Sequence, residues 1–176
     1  DGDCVGSQVA LCRVLRARGI DAICVNPDVV PRRIKFLVGD TPFFQRDAVE
    51  HAGRTGIFTD CADHGRAGDK VKQLYPTPLA SFDHHLSNGG FARHNFVDTG
   101  SAATAEVLAG IFFDAGLPID ATTAQGLYTG IMTDTGQFHF PSTTVRVFNI
   151  AAALLACGAS PAQAGQELYE RESFGK

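Results

Sequence analysis

Phe82-Asp83-His84-His85-Leu86 sets one carboxylate and two imidazoles at the end of a short apolar run. Pro78 to Phe82 is read as a buried strand that stops at Asp83, and Asn88-Gly89-Gly90 makes the loop that follows. The polar trio therefore falls at the carboxyl end of a strand, the edge of an open α/β sheet at which binding sites form. Working outward, Thr55 to Thr59 reads as another strand, ending at Asp60, and Ala22 to Val25 as a third. Three helical stretches alternate with them: Gly6 to Arg18, ahead of the first strand and stopped by Gly19 with arginines near its end; Val29 to Val38, entered through Pro31; and Asp63 to Leu74. This alternation predicts an α/β fold, a parallel β-sheet flanked by helices on both faces.

The part after residue 100 reads as mostly helical. Ser101 to Ala115 is Ala-rich and is stopped by Gly116 and Pro118. Asp120 or Thr122 can cap a run to Met132, Thr122 with Gln125 as a capping box. Ser142 can cap Thr143 to Ala156, and Ser160-Pro161-Ala162-Gln163 opens a last helix to about Glu170. Phe138 to Phe140 is expected to form a short strand.

With 176 residues and 44% hydrophobic content, the chain suits one well-packed domain. The net charge of -4 and the scattered lysines and arginines carry no electrostatic footprint for long nucleic acid. Small anionic ligands remain compatible. Apolar runs such as Ile150 to Cys157 fall well below the ~20 residues of a membrane span, and no signal peptide is read before Asp1, so a soluble protein is expected. The five cysteines form no C-x-x-C pair; a reducing cytoplasm is the expected setting, with the thiols as small buried hydrophobes.

Aspartate recurs at other element boundaries: Asp1-Gly2-Asp3, Asp60 and Asp134. Singly, each has an ordinary reading. Asp1-Gly2-Asp3 could be a solvated turn, Asp60 a helix cap, Asp134 a helix-end turn and His85 a packed core histidine. Together they supply Asp or His from four separate element ends, and packed carboxylates repel unless a cation neutralises them. Carboxylate and imidazole without thiolate suit two Mn²⁺ ions, with Mg²⁺ or Co²⁺ as substitutes. A metal pair of that kind serves displacement at phosphorus, which makes phosphoester hydrolysis the natural reaction.

The order and spacing of Asp1-Gly2-Asp3 with Gly6-Ser7, Asp60-Cys61-Ala62-Asp63, Asp83-His84-His85-x-x-Asn88 and Thr133-Asp134-Thr135-Gly136-x-Phe138 resemble the DHH phosphoesterase superfamily. The text around them, including Asp98 to Glu106 and Tyr128 to Thr144, looks most like its NrnA-type branch of bifunctional oligoribonucleases and pAp phosphatases. The resemblance covers nearly the whole chain. It implies that Asp1, Asp3, Asp60, His84 and Asp134 ligate two Mn²⁺ ions, with Asp60 bridging. It also implies that His85 contacts the scissile phosphate or protonates the leaving oxygen. Asp83 would orient a histidine through its second ring nitrogen, or cap a turn. Gly100 and Ser101, at a helix start, and Asn88 are candidates for substrate contact, Gly100-Ser101 being equally an ordinary N-cap.

The family also carries a metal-binding histidine shortly before Asp-Gly-Asp and a second, glycine-rich substrate-binding domain; neither is matched here. Residues 1–176 are thus expected to be the catalytic domain alone, clipped at both ends. His51 and His64 are read as surface residues, and His94 and His139 as strand residues nearer the site. The expected substrates are short RNA oligonucleotides and nucleotide bisphosphates, with no membrane partner and with a homodimer admitted. The rivals are a sister branch (inorganic pyrophosphatase, cyclic-dinucleotide phosphodiesterase or single-strand exonuclease) and a non-catalytic nucleotide-binding regulatory module.

Overall fold

The computed structural model describes residues 1–170. Helix α1 spans Gly2–Ala17 and is followed by β1 (Cys24–Asn26), a 3₁₀ helix at Arg32–Leu37 and β2 (Phe43–Gln45). Then come β3 (Ile57–Thr59), a 3₁₀ turn at His64–Ala67, α2 (Asp69–Leu74), β4 (Ala80–Asp83) and β5 (His94–Val97). Helices α3 (Thr104–Asp114), α4 (Ala121–Asp134), α5 (Val145–Ala156) and α6 (Pro161–Gly165) complete the domain, the last running into a π-helical turn at Gln166–Glu170. Every strand pairing is parallel, and the class is α/β with a helical second half.

Several local expectations are corrected. In place of one sheet the described residues form two, β1-β2 and β3-β4-β5, with α1 packed against both β1 and β3. Strands β2 and β5 were not anticipated, because each is only three or four residues long and mostly solvent-facing. The stretch after Pro31 closes as 3₁₀ rather than α. The expected helix over residues 63–74 is split by Gly68, whose φ of +88° no helix accommodates. Phe138 to Phe140 is a turn, entered through left-handed Gly136, Gln137 and Phe138 (φ 55°, 59° and 65°), a geometry incompatible with a strand. Helix α3 starts at Thr104 instead of Ser101. Thr144, not Ser142, caps α5, its hydroxyl accepting the Val147 amide at 3.2 Å. Asp120 caps α4, while Gln125 pairs instead with the Ser160 backbone, at 2.7 Å to its amide. Ser160 caps α6 with Pro161 at its first turn, as the sequence suggests.

The main core joins α1, α3, α4 and α5 through Val14, Leu108, Phe112, Leu127, Ile131 and Leu154. A smaller cluster seats the 3₁₀ helix on α1 through Val5, Val9, Ile34 and Leu37. Helices α1 and α4 cross in backbone contact, because Gly2 and Gly6 on one and Gly126 and Gly130 on the other carry no side chain. A Cβ on Gly6 would lie 2.2 Å from the Gly126 carbonyl oxygen. The approach brings Asp3, near the start of α1, beside the carboxyl end of α4, where Asp134 sits. Among the described residues no single helix is long and apolar enough to cross a membrane.

Candidate metal centre

Asp3 lies in the first turn of α1 and is fully buried. The N-cap position of α3 is Ala103, whose methyl group cannot accept a hydrogen bond, and Asp3 supplies the missing acceptor. Its Oδ2 accepts the Thr104 amide at 2.7 Å, its Oδ1 the Ala105 amide at 2.8 Å, and Ser7 donates its hydroxyl to Oδ1 at 3.2 Å. Gly130 makes the space, since a Cβ there would stand 2.8 Å from Oδ1.

Asp60 follows β3 with φ at +54°, a left-handed conformation that Asp tolerates better than most residues and that still costs on the order of 1 kcal/mol. Two bonds hold it there: its amide donates to the Phe82 carbonyl at 2.9 Å, and Thr104 Oγ1 donates to Oδ1 at 3.0 Å. Thr104 therefore ties two of the acids together, one through its backbone and one through its hydroxyl. Nothing in the motif spacing singled it out; the only trace in sequence is a small polar residue ahead of an apolar helix.

His84 leaves the end of β4 with Nδ1 3.4 Å from the Ser101 carbonyl. Its Nε2 is buried, has no hydrogen-bond partner among the described residues, and faces three carboxylates: Asp134 at 3.4 Å, Asp60 at 3.8 Å and Asp3 at 3.9 Å. Asp134, then Asp3 and Asp60, push the imidazole up to about 9 against the opposing pull of burial. Burial first, and then the neighbouring acids, raise Asp3 and Asp60 above the usual carboxylate range. A buried nitrogen ringed by acids that are themselves hard to ionise is an arrangement that a bound cation would relieve.

Asp83, fully buried, works on the other histidine. Its Oδ1 accepts His85 Nδ1–H at 2.7 Å and the His84 amide at 2.9 Å, and its Oδ2 accepts the Asn88 side-chain amide at 2.7 Å. Burial pushes this carboxyl up, but the bonds from His85, Asn88 and the His84 amide outweigh it and hold Asp83 below the ordinary value.

Two donor groups result. Asp3, His84 and Asp134 form one, Asp60, His84 and His85 the other; within each the donor atoms lie within 4.8 Å of one another. His84 belongs to both. The donors are nitrogen and oxygen only: burial pushes the nearby Cys4 thiol up to about 12 and raises Cys61 as well, so neither supplies a thiolate. This set fits a hard or borderline divalent cation, and the orphaned His84 Nε2 fits the role of its nitrogen ligand.

The remaining candidates are placed differently. Asp1 caps α1, its carboxylate accepting the Cys4 amide at 2.9 Å, and it stands outside both donor groups. The Gly100 amide and the Ser101 hydroxyl are both taken by Asp98, at 3.0 and 2.7 Å. Asn88 is committed to Asp83. His94 opens β5 opposite Ala80, at the far end of the sheet from Asp83. His64 is a correction: it is buried at 7% exposure, stacked on Phe91 with ring centroids 4.9 Å apart.

Fold and donor set together describe an α/β domain with nitrogen and oxygen donors gathered where a divalent cation could be held. The chain belongs to the DHH family: the model of the DHH family N-terminal domain matches residues 1–131. Over 99% of its length it is 35% identical to the bifunctional oligoribonuclease and PAP phosphatase NrnA of Thermus thermophilus, of which it covers 51%. It is 28% identical to the Bacillus subtilis protein of the same name, covering 54% of that one. An exopolyphosphatase-related protein from Bacteroides fragilis superposes over 99% of the chain with a TM-score of 0.89 at 22% identity, this chain covering 54% of it. The chain thus spans about half the length of the curated relatives it matches.

Proposed function

We propose that this domain is the catalytic part of a manganese-dependent phosphoesterase that hydrolyses short oligoribonucleotides to mononucleotides and 3′-phosphoadenosine 5′-phosphate to AMP. The observation that carries the reading is His84 Nε2, buried, without a partner among the described residues and common to two carboxylate-containing donor groups drawn from strand and helix ends. The substrate class is taken from the relatives called oligoribonuclease and PAP phosphatase, which match nearly the whole chain.

Asp3, Asp60, His84 and Asp134 would together hold the two ions, the one available nitrogen of His84 serving one of them, with Asp1 added by the family resemblance. Bound there, two such ions lower the pKa of a water and neutralise phosphate oxygens. The rest is the work of the chain itself. Because Asp83 accepts Nδ1–H of His85, the Nε2 of that ring is left to contact the phosphate, and the ring would give a proton to the leaving oxygen from Nε2 as the imidazolium that Asp83 stabilises. Asn88 and Ser101, through Asp83 and Asp98, hold the two loops at the rim rather than meeting substrate first. A reducing cytoplasm is the proposed setting, the five cysteines being free.

The test compares Mn²⁺-dependent hydrolysis of a 5′-phosphorylated diribonucleotide, 3′-phosphoadenosine 5′-phosphate, a cyclic dinucleotide and pyrophosphate. Turnover of the first two supports the proposal. Turnover of pyrophosphate or the cyclic dinucleotide alone moves the protein to a sister activity, and metal binding with no turnover makes it a regulatory module.

A further inference from the structure

Residues 98–105 touch three of the charged side chains of the centre. The Ser101 carbonyl meets His84 Nδ1 at 3.4 Å, the Thr104 and Ala105 amides hold Asp3, and the Thr104 hydroxyl holds Asp60. The segment runs from the end of β5 into the first turn of α3, whose N-cap Ala103 offers no side-chain acceptor, so its geometry must be fixed from elsewhere.

A second group of side chains does this. Glu106, 1% exposed, accepts the Ala102 amide on Oε2 at 2.6 Å, while its Oε1 lies 3.4 Å from Arg146 Nη1. The same Nη1 donates to Ser101 Oγ at 3.0 Å and to Asp98 Oδ2 at 3.3 Å, and Ser101 Oγ donates to Asp98 at 2.7 Å. Gly110 leaves room for the guanidinium on α3, because a Cβ there would stand 2.8 Å from Nη2. Arg146 is half exposed, so its ion pairs alone add little stability. Its position matters more: from the start of α5 it binds three oxygens spread over residues 98–106, and it neutralises the buried Glu106.

We propose that Arg146 is a positioning residue for the metal centre, fixing residues 98–105 through Glu106, Asp98 and Ser101 and thereby the placement of His84, Asp3 and Asp60. The proposal rests on the metal reading of the site. A residue that only docked α5 would change stability and leave metal affinity alone; a positioning residue changes the affinity of the folded protein.

The experiment titrates Mn²⁺ by calorimetry, and Co²⁺ by its visible absorption, into the parent chain, Arg146→Ala, Arg146→Lys and Glu106→Gln, each checked for folding by circular dichroism. Arg146→Ala is expected to raise the Mn²⁺ dissociation constant about 10- to 100-fold and to alter the Co²⁺ band. Arg146→Lys, which keeps the charge beside Glu106 but loses the planar fork, is expected to fall between it and the parent. A parent that binds neither metal overturns the site reading and this proposal with it. A parent that binds, with folded Arg146→Ala within about twofold of it, overturns the positioning role alone. Should the alanine variant not fold, Arg146→Lys and Glu106→Gln carry the same comparison.

Discussion

Asp3 accepts the backbone N–H of Thr104 at 2.7 Å across 101 positions of sequence, so one buried carboxylate is both a candidate metal ligand and the cap of a distant helix. The two roles predict different outcomes for two acids of the same centre. Asp3→Ala strands the Thr104 and Ala105 donors and should lower the stability of the metal-free chain by about 1–3 kcal/mol. Asp134→Ala removes a carboxylate that faces His84 at 3.4 Å instead of helix amides, so its cost to that stability should be confined to pH values at which His84 is protonated, below about 9. Urea unfolding of both variants in the presence of chelator measures the difference.

Stability of the metal-free chain should fall as pH rises from about 6.5 to about 9. His84 has its folded pKa raised to about 9 from an ordinary 6.5, so its contribution is complete below 6.5 and is lost as pH climbs through the folded value. The full shift corresponds to at most about 3 kcal/mol. Asp3 and Asp60, also raised, act in the same direction at lower pH. Metal affinity should move the opposite way, rising with pH as His84 gives up its proton to binding. Unfolding midpoints and Mn²⁺ titrations at several pH values check both slopes, and a flat stability profile in chelator would count against the crowded centre.

His84→Ala removes the nitrogen common to both donor groups and should abolish metal-dependent hydrolysis while leaving the far-UV circular dichroism intact. Asp134→Ala should do the same. Parental turnover in either variant would refute the two-metal assignment.

Substitutions at the α1/α4 crossing should separate fold from site. Gly6→Ala drives a Cβ to 2.2 Å from a backbone carbonyl that cannot step aside, and should destabilise by about 2 kcal/mol or more despite the better helix propensity of alanine. Gly130→Ala presses on the Asp3 carboxylate and on Ala105 Cβ, both at 2.8 Å, and should cost metal affinity as well as stability. Thermal unfolding and Mn²⁺ titration of the pair provide the comparison.

Asp83→Asn keeps the size of the side chain and removes the charge that accepts His85 Nδ1–H at 2.7 Å. Turnover should drop about 10- to 100-fold, with Mn²⁺ affinity changed far less, because the altered ring is the one assigned to the leaving oxygen. Equal losses in kcat and in metal affinity would place His85 among the ligands instead.

The sequence by itself determined the family and the α/β class, and it singled out acids and histidines of which the fold gathers Asp3, Asp60, His84, His85 and Asp134 but leaves Asp1 outside both donor groups. Each of these rests on short-range chemistry: an apolar run broken by Asp83, glycines that stop helices, polar residues set where elements end. Tertiary structure alone decided how those residues are used. Short strands such as His94–Val97 carry no apolar alternation and exist only by pairing with β4. The burial of His64 depends on Phe58 and Phe91, which flank it from other parts of the chain. The capping of α3 by Asp3, the hydroxyl link from Thr104 to Asp60 and the facing of His84 Nε2 by three acids all join residues far apart in the chain. No local periodicity encodes such contacts; they follow from the glycine-on-glycine approach of α1 to α4, which places both helix ends beside the carboxyl edge of the sheet.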